Sequence, residues 1–385
     1  MNAREPVSAA VSETSSSESR MRRVAIDPGV RARARRRRRL RVLGSAIALL
    51  VAAAAAPAVR GAESTDTTWG GEVSRGWEVS DTGLWLGGYV NNKLEVLEGS
   101  PNSFSLADVG VLLRYQLTPT ISLFNETDLD ESLLWEEGSG VQLGTRVLLL
   151  ERLYADWQPR PDLTLRLGKF LTPFGLWNVV RRAPLTWTVE APLIAESIFP
   201  DHITGAAVGF QTTLTGWTVD ATAYGQATDE LVPGASDTVA SAAGGGRVSA
   251  GRSLGPAYLE LGASGLGFLN EDTDDWQDGF GTDFACTAWG NYLQGELAYG
   301  RQLTAGSSPQ WGLYVQDALP IVNGLWGVVR FEHFDPDTGP AVNGGLVGLA
   351  WRPLPWLFLK ADYQLTNHNF EDLNRGFLAA VVFFF

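Results

Sequence analysis

The sequence predicts an all-β fold, a transmembrane antiparallel β-barrel of about 16 strands, with its longest loop after the fifth strand. Three observations predict it. Apolar and polar residues alternate with period two in segments about ten residues long, the length of a tilted strand crossing a bilayer. The links between these segments are tight and long in turn. In the last segment Phe377, Ala379, Val381, Phe383 and the terminal Phe385 occupy alternate positions.

Composition agrees. The chain has 385 residues, 43 of them Gly and 14 Trp, with a mean hydropathy of -0.03. A helical multi-span protein needs runs of about 20 apolar residues, and none follows residue 62. Abundant Gly and Trp suit strands and turns.

The net charge of -13 averages two unlike pieces. Residues 1–58 hold twelve Arg and four acidic residues, so the remainder carries 18 basic and 39 acidic groups, a net of -21. The basic piece reads as a signal peptide. Arg31, Arg33, Arg35 to Arg39 and Arg41 form a positive region, Val42 to Ala56 an apolar one, and Ala56-Pro57-Ala58 a small-x-small cleavage site. Cleavage is expected after Ala58, with Ala62 as second choice. Met1 and Met21 are the only methionines, and the Ser-rich stretch between them has no structural pattern, so Met21 is an alternative start that would leave residues 1–20 untranslated. An Arg run can also mark nucleic-acid binding, but one leading into an apolar stretch indicates export. The chain then divides into the signal peptide 1–58, an N-terminal periplasmic segment 59–81 and the barrel 82–385.

Sixteen strands are expected, at 82–97, 103–117, 121–134, 141–157, 162–174, 204–214, 216–226, 242–252, 257–269, 280–290, 292–303, 309–319, 324–335, 343–352, 356–367 and 374–385. In the second, Val109, Val111, Leu113, Tyr115 and Leu117 share a face with Ala107, opposite Asp108 and Arg114. In the seventh, Trp217, Val219, Ala221 and Ala223 alternate with Thr218, Asp220, Thr222 and Tyr224. In the fifteenth, Leu357, Leu359, Ala361, Tyr363 and Leu365 alternate with Phe358, Lys360, Asp362 and Gln364. Every second link is tight, as at Thr118-Pro119-Thr120, Thr215-Gly216 and Gly290-Asn291, and the longest lies at about 175–203. Short turns at one end and long loops at the other are the asymmetry of an outer-membrane barrel. Trp157, Trp217, Trp289, Trp326, Trp351 and Trp356 lie near the tight turns, where an aromatic girdle is expected. In the last strand Phe377, Ala379, Val381, Phe383 and Phe385 share a face. Left open, such an edge would aggregate; a barrel pairs it with the first strand. The terminal Phe385 resembles the signal read by the barrel assembly machinery.

With these residues in view, the chain resembles the sixteen-stranded porins, among them the phosphate-selective porin family. The resemblance runs from about Val147 to Gly175, ending in Gly168-Lys169-Phe170-Leu171-Thr172-Pro173-Phe174-Gly175, with a second patch at Phe199-Pro200-Asp201-His202-Ile203-Thr204-Gly205. It implies a homotrimer, a Gram-negative outer membrane, and passive diffusion of small hydrophilic solutes past the inward loop. Phosphate-selective members line the pore with many basic residues. This chain has only Lys93, Lys169 and Lys360 as lysines, and a net of -21 beyond residue 58, so neutral or cationic solutes are expected over anions. Anion selectivity of the phosphate type is the alternative.

Parity places Arg114, Arg146, Arg152, Arg166, Arg330 and Lys360 on the pore side, with Asp108, Glu126, Asp128, Asp156, Asp220, Glu260, Glu296, Glu332 and Asp362. The arginines of strands two, four and five suggest a basic wall facing acids elsewhere; the competing reading is that these charges pair in place. Glu151 breaks the apolar parity of its strand, which signals a bulge. Arg181, Arg182, Glu190, Glu196, Asp201 and His202 are the ionisable members of the constriction loop, placed either to tune passage or, for the last two, to cap the loop's return.

Other constellations are weak. Glu271, Asp272, Asp274, Asp275 and Asp278 form an acidic loop in which Trp276 and Gln277 break EF-hand order, so a solvated or lipopolysaccharide-bridging tip is favoured over a divalent-cation site. His202, His333 and His368 lack zinc spacing, and Cys286 is the only cysteine. No catalytic set, metal site, cofactor motif or nucleic-acid partner is expected. An outer-membrane hydrolase and a non-conducting structural or adhesive barrel are the other classes weighed.

Overall fold

The computed structural model describes residues 60–61, 76–143, 148–233, 238–303, 308–371 and 373–385. The signal peptide, most of the segment that follows it, and the expected pore residue Arg146 lie outside these.

Sixteen strands form the wall: β1 (Leu84–Leu97), β2 (Ser103–Thr118), β3 (Ile121–Glu136), β4 (Gly140–Leu143 and Leu149–Arg160), β5 (Leu163–Leu171), β6 (His202–Leu214), β7 (Trp217–Gln226), β8 (Ala240–Leu254), β9 (Ala257–Asn270), β10 (Trp276–Ala288), β11 (Asn291–Gln302), β12 (Gln310–Val322), β13 (Leu325–Asp335), β14 (Val342–Leu354), β15 (Leu357–Thr366) and β16 (Gly376–Phe384). Each pairs antiparallel with the next, and β16 pairs with β1 from Gly376 opposite Leu97 to Phe384 opposite Tyr89. Gly88 and Phe385 then exchange backbone hydrogen bonds of 3.1 and 3.0 Å, so the terminal residue completes the closure. A two-residue strand, Trp77–Glu78, adds to β1 at its tight-turn end, and Trp77 stacks on Phe385 at 4.9 Å.

The turns explain the register. Seven links are two residues long, at 119–120, 161–162, 215–216, 255–256, 289–290, 323–324 and 355–356. Trp289 and Gly290 both hold positive φ, 51° and 87°, the geometry of a two-residue hairpin whose twist matches its strands. At the opposite end the links are longer, and the one between β5 and β6 is the longest.

Alternation decides the two faces. Val208, Leu261, Val315, Phe331, Val347, Leu349 and Val381 are exposed on the outside, while Phe358, Lys360, Asp362 and Gln364 of β15 are buried inside. Trp157, Trp289, Trp351 and Trp356 are exposed near the tight turns, as a girdle requires. Trp326 departs from that expectation. Its position shares parity with Val328 and Arg330 and lies opposite Ala350, so it turns inward and packs on Trp187 at 5.1 Å. Ala107 also departs, because a register shift between Leu106 and Asp108 turns it in. The bulge expected at Glu151 is present: Glu126 pairs with Arg152 and Thr127 with Leu150, leaving Glu151 as the extra residue.

A lysine on the outer face tests this assignment. Val347→Lys, in the middle of β14, should lower unfolding stability in detergent or lipid by about 2–4 kcal/mol. Urea titration of the refolded chain reads it, and an unchanged midpoint would mean that the outer face meets water.

Candidate functional site

The longest loop, residues 172–201, leaves the wall where Pro173 cannot donate to a ladder. Gly175 follows at φ 62°, and a side chain there would collide with Glu296, so the loop enters the lumen against β11. Its root is closed by its own ends. Thr172 donates its N–H to Asp201 O at 2.8 Å and its hydroxyl to Pro200 O. Asn178 spans both sides, donating to Thr172 O at 2.9 Å and Asp201 O at 3.1 Å, and Phe174 packs on Phe199 at 4.4 Å. The two sequence patches that carry the porin resemblance therefore meet at this root.

From the root the loop crosses the lumen, with a 3-10 turn at Asn178–Val180 and one helical turn, α1 (Ile194–Ser197). Carboxylates of three alternate strands accept its backbone N–H groups: Glu296 of β11 from Trp177 at 2.7 Å, Glu332 of β13 from Leu193 at 3.0 Å, and Asp362 of β15 from Val189 at 2.6 Å. Cations take its carbonyls. Arg330 donates to Glu190 O at 2.9 Å and Ala191 O at 3.1 Å, and Lys360 to Thr188 O at 2.9 Å and Thr186 Oγ1 at 2.7 Å. An irregular segment inside a barrel needs such partners, since its backbone has no ladder.

Apolar packing reinforces these bonds. Phe174, Trp177, Leu193, Ile194, Ile198 and Phe199 of the loop form one core with inward residues of the wall, including Phe170, Tyr224, Leu266, Phe268, Tyr314 and Phe334. Toward the tight turns, Trp187 packs over Tyr292, Trp326 and Phe358, and Arg352 lies 4.3 Å above the Phe358 ring. The loop is thus a packed plug along β9–β16.

The expected pore and constriction residues now have positions. Glu126 is clamped between Arg152 of β4 and Arg182 of the loop; the second pair is bidentate, at 2.5 and 3.0 Å. Burial works against the Arg182 charge, but Glu126 more than offsets it and its pKa is raised. Asp128 accepts from Tyr89 at 2.8 Å, and Asp156 takes Arg166 through two bonds of 2.7 and 2.8 Å. Asp220 accepts from Gln211 at 2.7 Å at the turn end, and Glu260 lies 3.7 Å from Arg247, which pairs more closely with Asp283. In the loop, Arg181 pairs with Asp201, Glu190 with Lys93 at 2.9 Å, and His202 with Glu151 at 3.0 Å. Glu196 sits in α1; its side chain lies outside the described residues.

Of the arginines expected on β4 and β5, Arg152 and Arg166 follow the competing reading and pair in place. Arg152 and Arg166 are each neutralised by a carboxylate on an adjacent strand, Glu126 and Asp156, which ladder neighbours reach without spanning the barrel. Sequence reasoning missed the donor Lys93, the acceptors Thr186 and Thr188 and the buried Lys169–Glu230 pair at 2.7 Å. Parity would have placed Phe124 and Tyr154 inside, since they share faces with Glu126 and Asp156. Among the described residues no group of His, Cys, Asp and Glu is arranged to hold a metal.

The plug leaves space on the other side. A cavity of about 530 Å³ opens at the tight-turn end of β2–β7, lined by Arg114, Phe124, Tyr154, Asp156, Arg166 and Phe170, and ends against Pro173 at the loop's root.

The clamp is testable. Glu126→Gln leaves two buried guanidiniums without their counter-charge and should lower stability by about 3–5 kcal/mol in urea titration; an unchanged midpoint would show that both are solvated.

No protein-family model and no curated protein matches the sequence. Solved structures do match in fold. OmpF of Salmonella typhi, in complex with daunomycin, superposes with a TM-score of 0.52 at 12% identity, over 80% of this chain and 99% of that one. An anion-selective porin from Comamonas acidovorans gives 0.52 at 11% identity, over 78% and 98%. OmpT, an outer-membrane protein of Vibrio cholerae, in its trimer form, gives 0.50 at 10% identity, over 78% and 99%. The chain has the closed, sixteen-stranded antiparallel barrel of the outer-membrane porins.

Proposed function

We propose that the chain is a porin of a Gram-negative outer membrane, giving passive diffusion of small hydrophilic solutes. The observation that carries this reading is the 172–201 loop, held inside a closed barrel by wall side chains and leaving a polar cavity along β2–β7. A purely structural barrel would not need an inward loop beside an open cavity. The solute path runs along β2–β7, because β9–β16 is filled by the plug. The net charge of -21 beyond residue 58 favours neutral or cationic solutes.

The Arg-rich leader exports the chain, and Phe385, bound into the closure, is the element offered to the assembly machinery. The acidic tip at Glu271, Asp272, Asp274 and Asp275 lies at the long-loop end, where divalent ions could bridge it to lipopolysaccharide. A homotrimer is proposed by analogy with the trimeric neighbour. A second reading, anion preference, is favoured by Arg114 on the cavity wall. No catalytic role is proposed.

Planar-bilayer recording of refolded residues 59–385 tests the reading. Discrete conductance steps are expected, with a reversal potential in a salt gradient that shows weak cation preference. Strong anion preference would overturn the charge argument in favour of the second reading, and absence of steps would overturn the porin.

A further inference from the structure

The inner wall of β1–β3 carries two carboxylates that no cation pairs with. Asp128 accepts from the Tyr89 hydroxyl at 2.8 Å, and Asp108 from the Asn91 amide at 2.9 Å. Among the described residues neither has an ion pair, whereas Glu126, Glu230, Asp283 and Glu332 each take an arginine or a lysine. Lys93 and Arg181, whose fields reach Asp108, are engaged elsewhere, the first with Glu95 and Glu190 and the second with Asp201. Glu151 adds its negative field to both carboxylates and is itself paired with His202. The ladder brings the uncompensated groups together. Tyr89 lies opposite Gly110, and Gly110 opposite Asp128; with no side chain at Gly110, the Tyr89 ring lies across it. Asn91 lies opposite Asp108, one step nearer the long-loop end, and Asp128 is the diagonal neighbour of Asp108 on the same inward face.

Two oxygens in this patch are left over. Asn91 is 6% exposed and Asp128 8%, and each keeps its Oδ1 without a hydrogen-bond partner. The Asn91 nitrogen is committed to Asp108, so its free atom is an acceptor, as a cation requires. Asp108 is part-buried, which leaves the patch open to the lumen. Buried acceptors beside unneutralised carboxylates are unfavourable until a cation meets them. Carboxylate and carboxamide oxygens are hard donors, and no imidazole or thiolate stands among them, which selects calcium or magnesium over zinc. Ligands mounted on adjacent strands suit the flexible shell of calcium better than the tight octahedron of magnesium. We propose that Asn91, Asp108 and Asp128 form a calcium-type divalent-cation site on the lumen wall, with water completing its shell. The set is two acids and an amide; it is not a metal-binding group of three or more His, Cys, Asp and Glu, of which the described residues hold none. An occupied site cancels two negative charges of the lumen, which ties it to the weak cation preference of the porin reading; binding itself needs no conduction.

Calorimetric titration of the refolded, detergent-solubilised chain, first stripped with chelator, tests the site. Calcium should bind with a Kd of about 10⁻⁴–10⁻³ M, the weak end of oxygen-ligand sites, and magnesium more weakly still. Asp128→Asn should lower the calcium affinity about 10-fold or more, while Asp274→Asn, in the acidic outer loop, should leave it unchanged. Urea titration supplies the second readout. Calcium should raise the midpoint of the unaltered chain and not that of Asp128→Asn, and in chelator the variant should be no less stable than the unaltered chain, because it removes an unneutralised charge. If Asp128→Asn fails to refold, Asp108→Asn takes its place with the same expectations. No calcium binding by the unaltered chain overturns the proposal, as does binding that is lost in Asp274→Asn and kept in Asp128→Asn. A midpoint lowered equally in calcium and in chelator would reduce Asp128 to a partner of Tyr89 and overturn it as well. Calcium binding without bilayer conductance would leave the site standing and remove the porin; conductance without calcium binding would do the reverse.

Discussion

The structure depends on closure of the sheet. Hydrocarbon offers no hydrogen-bond partner, so every backbone group of a spanning strand must find one in a neighbour. The pairing of β16 with β1 supplies the last set, and the exchange between Gly88 and Phe385 carries it to the final residue. The outer face can then be uniformly apolar, because side-chain period two is locked to a single register. The inner face is free to carry charges, whose desolvation must be met within the lumen.

The lumen meets that demand with the loop. Carboxylates on β11, β13 and β15 accept N–H groups of a segment that has no ladder, while Arg330 and Lys360 donate to its carbonyls. Each side resolves the other's unsatisfied groups. Glu126 extends the arrangement to the opposite wall by binding Arg152 and Arg182 together. Inward charges of the plugged side are therefore structural fasteners. Arg114, Tyr154, Asp156 and Arg166 instead line the open cavity.

Much of this was legible in sequence. Alternation marked all sixteen strands, since a strand with one lipid face and one polar face writes its period directly into the residues. Tight turns were legible because Gly and Pro mark their geometry, as at Thr215-Gly216, whose φ angles are 50° and 81°. The break at Glu151 was legible as an acid on an apolar face. Trp326 was misread, because proximity to a turn says nothing about which face a residue occupies, and its parity with Val328 decided the matter. The idea of opposed charged walls failed for a similar reason. Parity reports that Arg152 and Arg166 point inward, but only cross-strand register shows Glu126 and Asp156 within reach of them.

The sequence by itself determined the barrel, its strand count, its two faces and the identity of the long loop, because these follow from periodicities and turn chemistry that act within a few residues. Tertiary structure decided what the loop does with the lumen. Its path depends on contacts between residues more than a hundred positions apart, such as Trp177 with Glu296 and Val189 with Asp362. No local pattern encodes which inward carboxylate will fasten the plug and which will line the space beside it.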